Sequence, residues 1–225
     1  MSRKTIWIVL GLLLVLAGGA GAWFWSNSGS SSLDATTVGS GPGYVLTDHD
    51  RTLGNSKAPV VLIEYAAPSC PICAAFNAQT FPQFKTNYID TGKVYYVFRL
   101  FPLRADDCNA EKIARCLPAD KYLAFIDLLF RNQPLWDVEN GVTDVHGGLV
   151  KVGRIAGISA DQVDKCMNNP AEDKIINDVA KDGAAKYNIT GTPTIVVDGN
   201  SLGSRFIPYD ELTKALDAAI AKKKT

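Results

Sequence analysis

Val60-Val61-Leu62-Ile63-Glu64-Tyr65 leads, four residues later, into Cys70-Pro71-Ile72-Cys73 in a chain of 225 residues. The first stretch is apolar and rich in β-branched residues, which predicts a buried strand. The second sets two thiols two residues apart where a helix begins, with Pro71 in the first turn, where a missing N–H costs nothing. Free backbone N–H groups and the helix dipole at such an N-terminus favour a thiolate over a thiol. The thiolate is the form that attacks disulfides, so the pair reads as a reversible redox couple. Cys70, at the helix start, is the expected nucleophile with an accessible sulfur. Cys73, one turn inside, is expected to be better buried and to resolve. The competing reading, a zinc half-site, needs two further thiol or imidazole ligands. There is no second CxxC, and the two histidines are His49 and His146. No metal and no cofactor is expected.

Outward from this stretch the pattern stays αβ. Residues 71 to about 88 read as one helix kinked at Pro82, Thr91-Gly92 as a turn, and Val94 to Leu100 as a second strand. Two strands joined through a helix should be parallel, with a right-handed crossover. The middle of the chain then turns helical: Asp106 to Cys116, Asp120 to Arg131, Leu149 to Ala156, Ser159 to Asn168 and Ala171 to Tyr187, with Asn132 to Gly148 as loop. Thr194 to Asp198 and Ser201 to Ile207 flank Gly199-Asn200 and predict an antiparallel hairpin. Tyr209 to Lys222 predicts a closing helix.

The formal net charge is zero, which argues against a basic nucleic-acid-binding surface. Arg3 and Lys4 precede an uncharged run from Thr5 to Trp25. Ala20-Gly21-Ala22 would suit signal cleavage. The length of Ile6 to Trp25 and the aromatic Trp23-Phe24-Trp25 favour an uncleaved membrane anchor. Either reading exports the remainder of the chain into an oxidising compartment outside the cytoplasmic membrane, such as the periplasm. Ser26 to Gly43, rich in Ser and Gly, reads as a flexible tether. The expected organisation is therefore a signal or anchor (1–25), a linker (26–43), an αβ domain (44–102 and 185–225) and a helical insert (103–184).

Taken together, Asp50-Arg51-Thr52-Leu53-Gly54, Ala58-Pro59-Val60, Ile63-Glu64-Tyr65, Cys70-Pro71-Ile72-Cys73, Phe101-Pro102-Leu103 and Gly191-Thr192-Pro193-Thr194 make residues 44 to 222 resemble the DsbA-like thiol-disulfide oxidoreductases. The resemblance implies an α/β thioredoxin fold with an inserted helical domain. It implies an exported enzyme that exchanges disulfides with substrate proteins carrying thiols or disulfides, is recycled by a membrane redox partner, and most often acts as an oxidase. Isomerase or reductase action, or a tethered chaperone without enzymatic activity, are the alternatives. The resemblance also implies a cis Thr192–Pro193 bond facing the CxxC, where Thr192 would pair with substrate backbone. It makes Glu64 a buried acid that assists proton transfer involving Cys73. Valine is common before this proline in dedicated oxidases and threonine occurs in isomerases. Pro71 and Ile72 modulate the couple. Ile72 replaces the histidine of the best-known family form and cannot donate a hydrogen bond. The Cys70 pKa is therefore expected below the free-thiol value but less depressed than in the strongest oxidants.

Cys108, Cys116 and Cys166 remain. Cys108 and Cys116, eight apart on one helix, would lie about 12 Å apart, beyond disulfide reach. Some relatives carry a structural pair near the ends of two insert helices, and on that resemblance Cys116–Cys166 is expected, with Cys108 unassigned.

Overall fold

The computed structural model describes residues 37–41 and 43–223. The expected anchor or signal segment lies outside these, and so does most of the expected tether. No helix among the described residues is long and apolar enough to cross a membrane.

The described residues form a five-stranded sheet in the order β3-β5-β4-β6-β7. Its strands are β3 (Arg51–Leu53), β4 (Val60–Ala66), β5 (Val94–Leu100), β6 (Thr194–Val197) and β7 (Asn200–Ser204). β4 and β5 are parallel, with Glu64 opposite Phe98, and every other pairing in the sheet is antiparallel. All seven residues of β4 are buried, because it is the central strand and both its faces are covered. Val60, Leu62 and Ala66 point into the larger core, and Val61, Ile63 and Tyr65 into a smaller one with Tyr187, Ile189 and Val196. The period-2 alternation of side chains puts Glu64 on the larger-core side.

One departure from the sequence reading precedes β4. Thr37–Gly41, expected as tether, is a strand (β1) paired antiparallel with β2 (Tyr44–Thr47). The pairing tucks Leu46 into the smaller core, a long-range gain that the composition of 37–41 does not announce. The hairpin end is fixed by Arg99 of β5. Its guanidinium donates to both Asp50 oxygens (2.7 and 2.8 Å), to the Tyr65 hydroxyl (2.9 Å) and to the Val45 carbonyl (2.7 Å).

After β4, α1 (Pro71–Gln79) breaks at Thr80, two residues before Pro82 and beside the expected kink, and the helical path then runs on to Ile89. A short turn of helix, α2 (Phe81–Phe84), and a π-helical turn (Lys85–Ile89) come next. The break is held by the buried Thr80 hydroxyl, which donates to the Ile207 carbonyl at 3.1 Å. Ile207 itself lies beyond β7, which stops at Ser204, short of the expected strand end.

Between β5 and β6 lie six α-helices, α3 (Ala105–Cys116), α4 (Ala119–Arg131), α5 (Gln133–Trp136), α6 (Val145–Ile155), α7 (Ala160–Met167) and α8 (Pro170–Tyr187), and one 3-10 turn (Val138–Asn140). α4 buries Tyr122, Phe125, Ile126, Leu129 and Phe130, the 3–4 spacing of an amphipathic helix. Segment 132–148, expected as loop, contains α5 and the start of α6. Trp136 anchors α5 by full burial and an indole N–H bond to the Leu129 carbonyl at 3.0 Å. α6 passes so close that a Cβ on Gly148 would meet the Leu135 carbonyl at 2.3 Å, so this contact requires glycine. α9 (Tyr209–Lys222) closes the larger core with Leu212 and Leu216.

Cys116 and Cys166 are bonded across α3 and α7, with Cα atoms 5.7 Å apart and a sequence separation of 50. Cys108 is a free, partly buried thiol. Cross-linking a span of this size is assigned about 4 kcal/mol by chain entropy, and removing native disulfides costs about 2–5 kcal/mol. Replacing both Cys116 and Cys166 by alanine is expected to lower the unfolding free energy by about 2–4 kcal/mol, read from urea denaturation curves without reductant.

Candidate active site

β4 delivers the chain through Ala67-Pro68-Ser69 to Cys70, the N-cap of α1, in extended conformation (φ −73°, ψ 117°). This backbone leaves the first N–H groups of α1 free to face the sulfur. The Cys73 N–H donates to Cys70 Sγ at 3.3 Å. On the other side, Cys70 Sγ–H donates to the Thr192 carbonyl at 3.3 Å. The Thr192–Pro193 bond is cis. β6 pairs with β4, so the residues just before it lie against the CxxC. Cys70 is only 4% exposed and Cys73 fully buried. The expected accessible Cys70 sulfur is thus corrected: the Thr192–Pro193 turn lies over it. Ile72 is 46% exposed and presents an apolar side chain beside the pair.

The two sulfurs titrate in opposite directions. Cys70 is pulled down to about 6, chiefly by the hydrogen bond from the Cys73 thiol. Burial works against this, and the Thr192 side chain and the backbone N–H groups of Cys73 and Ile72 add to it. The Thr192 hydroxyl has no partner with the thiol form in place, so it is free to turn to the thiolate. Cys73 is pushed well above its ordinary value by burial and by its neighbour Cys70. One sulfur is thus a stable leaving group and attacking thiolate near neutral pH, and the other holds its proton.

Glu64 sits on β4 behind the pair, 2% exposed. Burial raises its pKa to about 7, the hydrogen bond from the Tyr96 hydroxyl (2.8 Å) opposes the rise, and charge on Cys70 adds to it. A carboxyl near 7 can hold or release a proton at neutral pH. It also borders a cavity of about 410 Å³ shared with Phe81, Tyr96 and Phe130, a face separate from the cysteines.

The thioredoxin family model matches residues 46–218. The chain belongs to the thioredoxin family, in its DsbA-like group. A "putative protein-disulfide oxidoreductase" of Rickettsia felis is 31% identical over 184 residues, covering 80% of this chain and 64% of that protein. This chain therefore matches less than two thirds of the rickettsial protein's length. A "probable disulfide bond formation protein D" of Bacillus cereus is 29% identical, covering 76% of this chain and 79% of its own. Among solved structures, α-DsbA1 of Wolbachia pipientis superposes with a TM-score of 0.72 at 26% identity, covering 79% of this chain and 94% of that one.

In this DsbA-like chain the fold brings Cys70, Pro71, Ile72, Cys73, Glu64, Thr192 and Pro193 to one place. Cys116 and Cys166 stand apart, at the far end of α3. Among the described residues no group of three or more His, Cys, Asp or Glu side chains is arranged to hold a metal.

Sequence reasoning missed three residues. Tyr96 looks like one more aromatic in a strand, and only the parallel register with β4 puts its hydroxyl on Glu64. Asp107 of α3 is fully buried and accepts from the Ser69 N–H (2.8 Å) and hydroxyl (3.0 Å). It also accepts from the N–H groups of Leu103 and Arg104, both at 3.0 Å. Burial raises its pKa and these donors hold it back. With Arg104 at the N-cap the sequence shows no Ser/Thr-x-x-Glu capping signature, and nothing local announces the reach to Ser69. Gln133 of α5 donates from Nε2 to the Pro68 carbonyl (2.8 Å) and the Cys70 carbonyl (3.2 Å). A polar residue ahead of Pro134 and Trp136 carried no local signal for that.

Proposed function

We propose that this chain is an exported thiol-disulfide oxidoreductase that forms disulfides in other proteins through Cys70 and Cys73. The observation that carries the reading is the asymmetry of the pair: a Cys70 sulfur stable as thiolate near pH 6 and a buried Cys73 that keeps its proton. In the oxidised enzyme a substrate thiolate attacks Cys70 Sγ. The Cys70–Cys73 bond breaks, and Cys73 leaves with the electron pair and takes up a proton, for which Glu64 is the nearest buried acid. A second substrate thiolate then attacks the substrate sulfur of the mixed disulfide, and Cys70 leaves as a thiolate. The substrate has lost two electrons and the enzyme holds them as a dithiol. A membrane redox partner takes these electrons and restores the disulfide. Thr192 offers backbone to an extended substrate segment beside the sulfur.

The Cys116–Cys166 bond supports an oxidising location, and residues 6–25 would serve as the tether to the cytoplasmic membrane. The direction of exchange is set by thiolate stability. At pH 7 a thiol near 6 favours the dithiol form by about ten-fold over an ordinary thiol, worth about 30 mV of oxidising power at most, since solvent screens part of it. That supports the oxidant reading without making the couple extreme. Ile72 and Thr192 keep the isomerase or reductase reading as the alternative.

Cys73→Ala is expected to accumulate mixed disulfides with exported proteins in the producing cell, seen as reductant-sensitive high-mass bands, and Cys70→Ser to abolish both these bands and turnover. Absence of any trapped species would overturn the assignment. Equilibration with glutathione decides direction: a potential near about −120 mV marks an oxidant and one near about −270 mV a reductant.

A further inference from the structure

The loop that presents Cys70 is held less by the sheet than by the helices inserted between β5 and β6. Four groups of the segment 67–70 are gripped by those helices. Within the segment, the Cys70 N–H donates to the Ala67 carbonyl at 2.9 Å. From α3, the Asp107 carboxylate takes both donors of Ser69. From α5, Gln133 Nε2 bridges the carbonyls of Pro68 and Cys70. Ser69, Asp107 and Gln133 are all buried, so water does not compete for these bonds. The Cys70 carbonyl also accepts the Ala74 N–H, the first turn of α1, at 3.0 Å. Gln133 therefore acts on the same peptide group that sets the start of the helix under the sulfur.

We propose that Gln133, together with Asp107, is a positioning residue for Cys70: the inserted helices hold the N-cap of α1 so that its N–H groups stay aimed at the sulfur, and thereby set the stability of the thiolate. This rests on the reading of Cys70 as the attacking thiolate. Cys73 on the same helix and Glu64 on β4 are the titratable groups that interact with the sulfur. Gln133 is uncharged and acts on neither, so its contribution is separable from theirs. Its place is fixed from behind by Trp136 of the same short helix and by the close passage of Gly148.

The test is a thiolate titration of the reduced protein by absorbance at 240 nm, with the alkylation rate of Cys70 at pH 5 as a second readout. Gln133→Met keeps the side-chain volume and removes both donors. It is expected to raise the midpoint by about half a unit and slow alkylation about three-fold. Gln133→Glu sets acceptor oxygens against two carbonyls and should shift it further. Leu135→Ala, on the exposed side of the same helix, should leave the midpoint unchanged. Asp107→Asn supplies the same readout if the methionine variant does not fold. A folded Gln133→Met or Asp107→Asn protein that titrates with the parent overturns the proposal. Both readouts are taken without a protein substrate, so this failure is distinct from a parent that titrates as described but exchanges no disulfides.

Discussion

Alkylation of Cys70 in the reduced protein is expected to rise about ten-fold between pH 5 and pH 7 and then level off. A thiol with a pKa near 6 is about one-tenth thiolate at pH 5 and about nine-tenths at pH 7. An ordinary thiol would gain about a hundred-fold over the same interval and go on rising past pH 8. Cys73 should stay unmodified over the whole range, since burial and the neighbouring sulfur keep it protonated. The largest cause of the low Cys70 value is the hydrogen bond from the Cys73 thiol. Cys73→Ala should therefore move the midpoint upward while leaving Cys70 the reactive sulfur. Stopped-flow alkylation with mass-spectrometric assignment of the modified residue makes the measurement. A parent profile still climbing beyond pH 8 would contradict the geometry around Cys70.

Asp50→Ala is expected to destabilise the fold by about 3–5 kcal/mol, the usual result of leaving one member of a buried ion pair uncompensated. The side chains of Arg99 and Asp50 are 6% and 2% exposed. Removing the carboxylate leaves the buried guanidinium with the neutral Tyr65 hydroxyl and Val45 carbonyl and, 4.0 Å away, only the half-exposed Asp182 carboxylate. It also deprives the Thr47 N–H of its acceptor at 2.8 Å. The hairpin of β1 and β2 would lose the pin at its base. By comparison, Lys85→Ala breaks an ion pair whose partners are 42% and 48% exposed and should cost about 1 kcal/mol or less. Paired guanidinium denaturation curves, compared at equal slope, separate the two outcomes.

The contrast between these positions also explains what could be read from the chain itself. The strand from Val60, the helix opening at Cys70 and the strand after Pro193 are each specified locally, by apolar runs and turn residues. β4 is central, so its sequence shows an unbroken buried pattern. The closed path from Thr37 to Asp50 is different. Thr-Val-Gly-Ser-Gly has weak intrinsic preference, and its pairing is decided by Leu46 in the smaller core and by Arg99, about fifty residues away. α5 is four residues long, contains Pro134, and exists because Trp136 is buried. No window of local periodicity reports such a helix. The residues missed around the cysteines share this property: Asp107, Gln133 and Tyr96 act through bonds spanning 32 to 65 positions.

The helices between β5 and β6 leave and rejoin the sheet next to the cysteines. At their entry, Leu103 and Arg104 share a carboxylate with Ser69. At their exit, α8 ends at Asn188 in the left-handed region (φ 51°), four residues before Thr192. Both seams of the addition are therefore sewn at the reaction centre, whereas its outer turns, with the Cys116–Cys166 bond, lie a helix length away. Lengthening, shortening or recharging those outer turns would alter the surface around the site while the two sulfurs keep their places. The couple and the surface around it can in this way change independently.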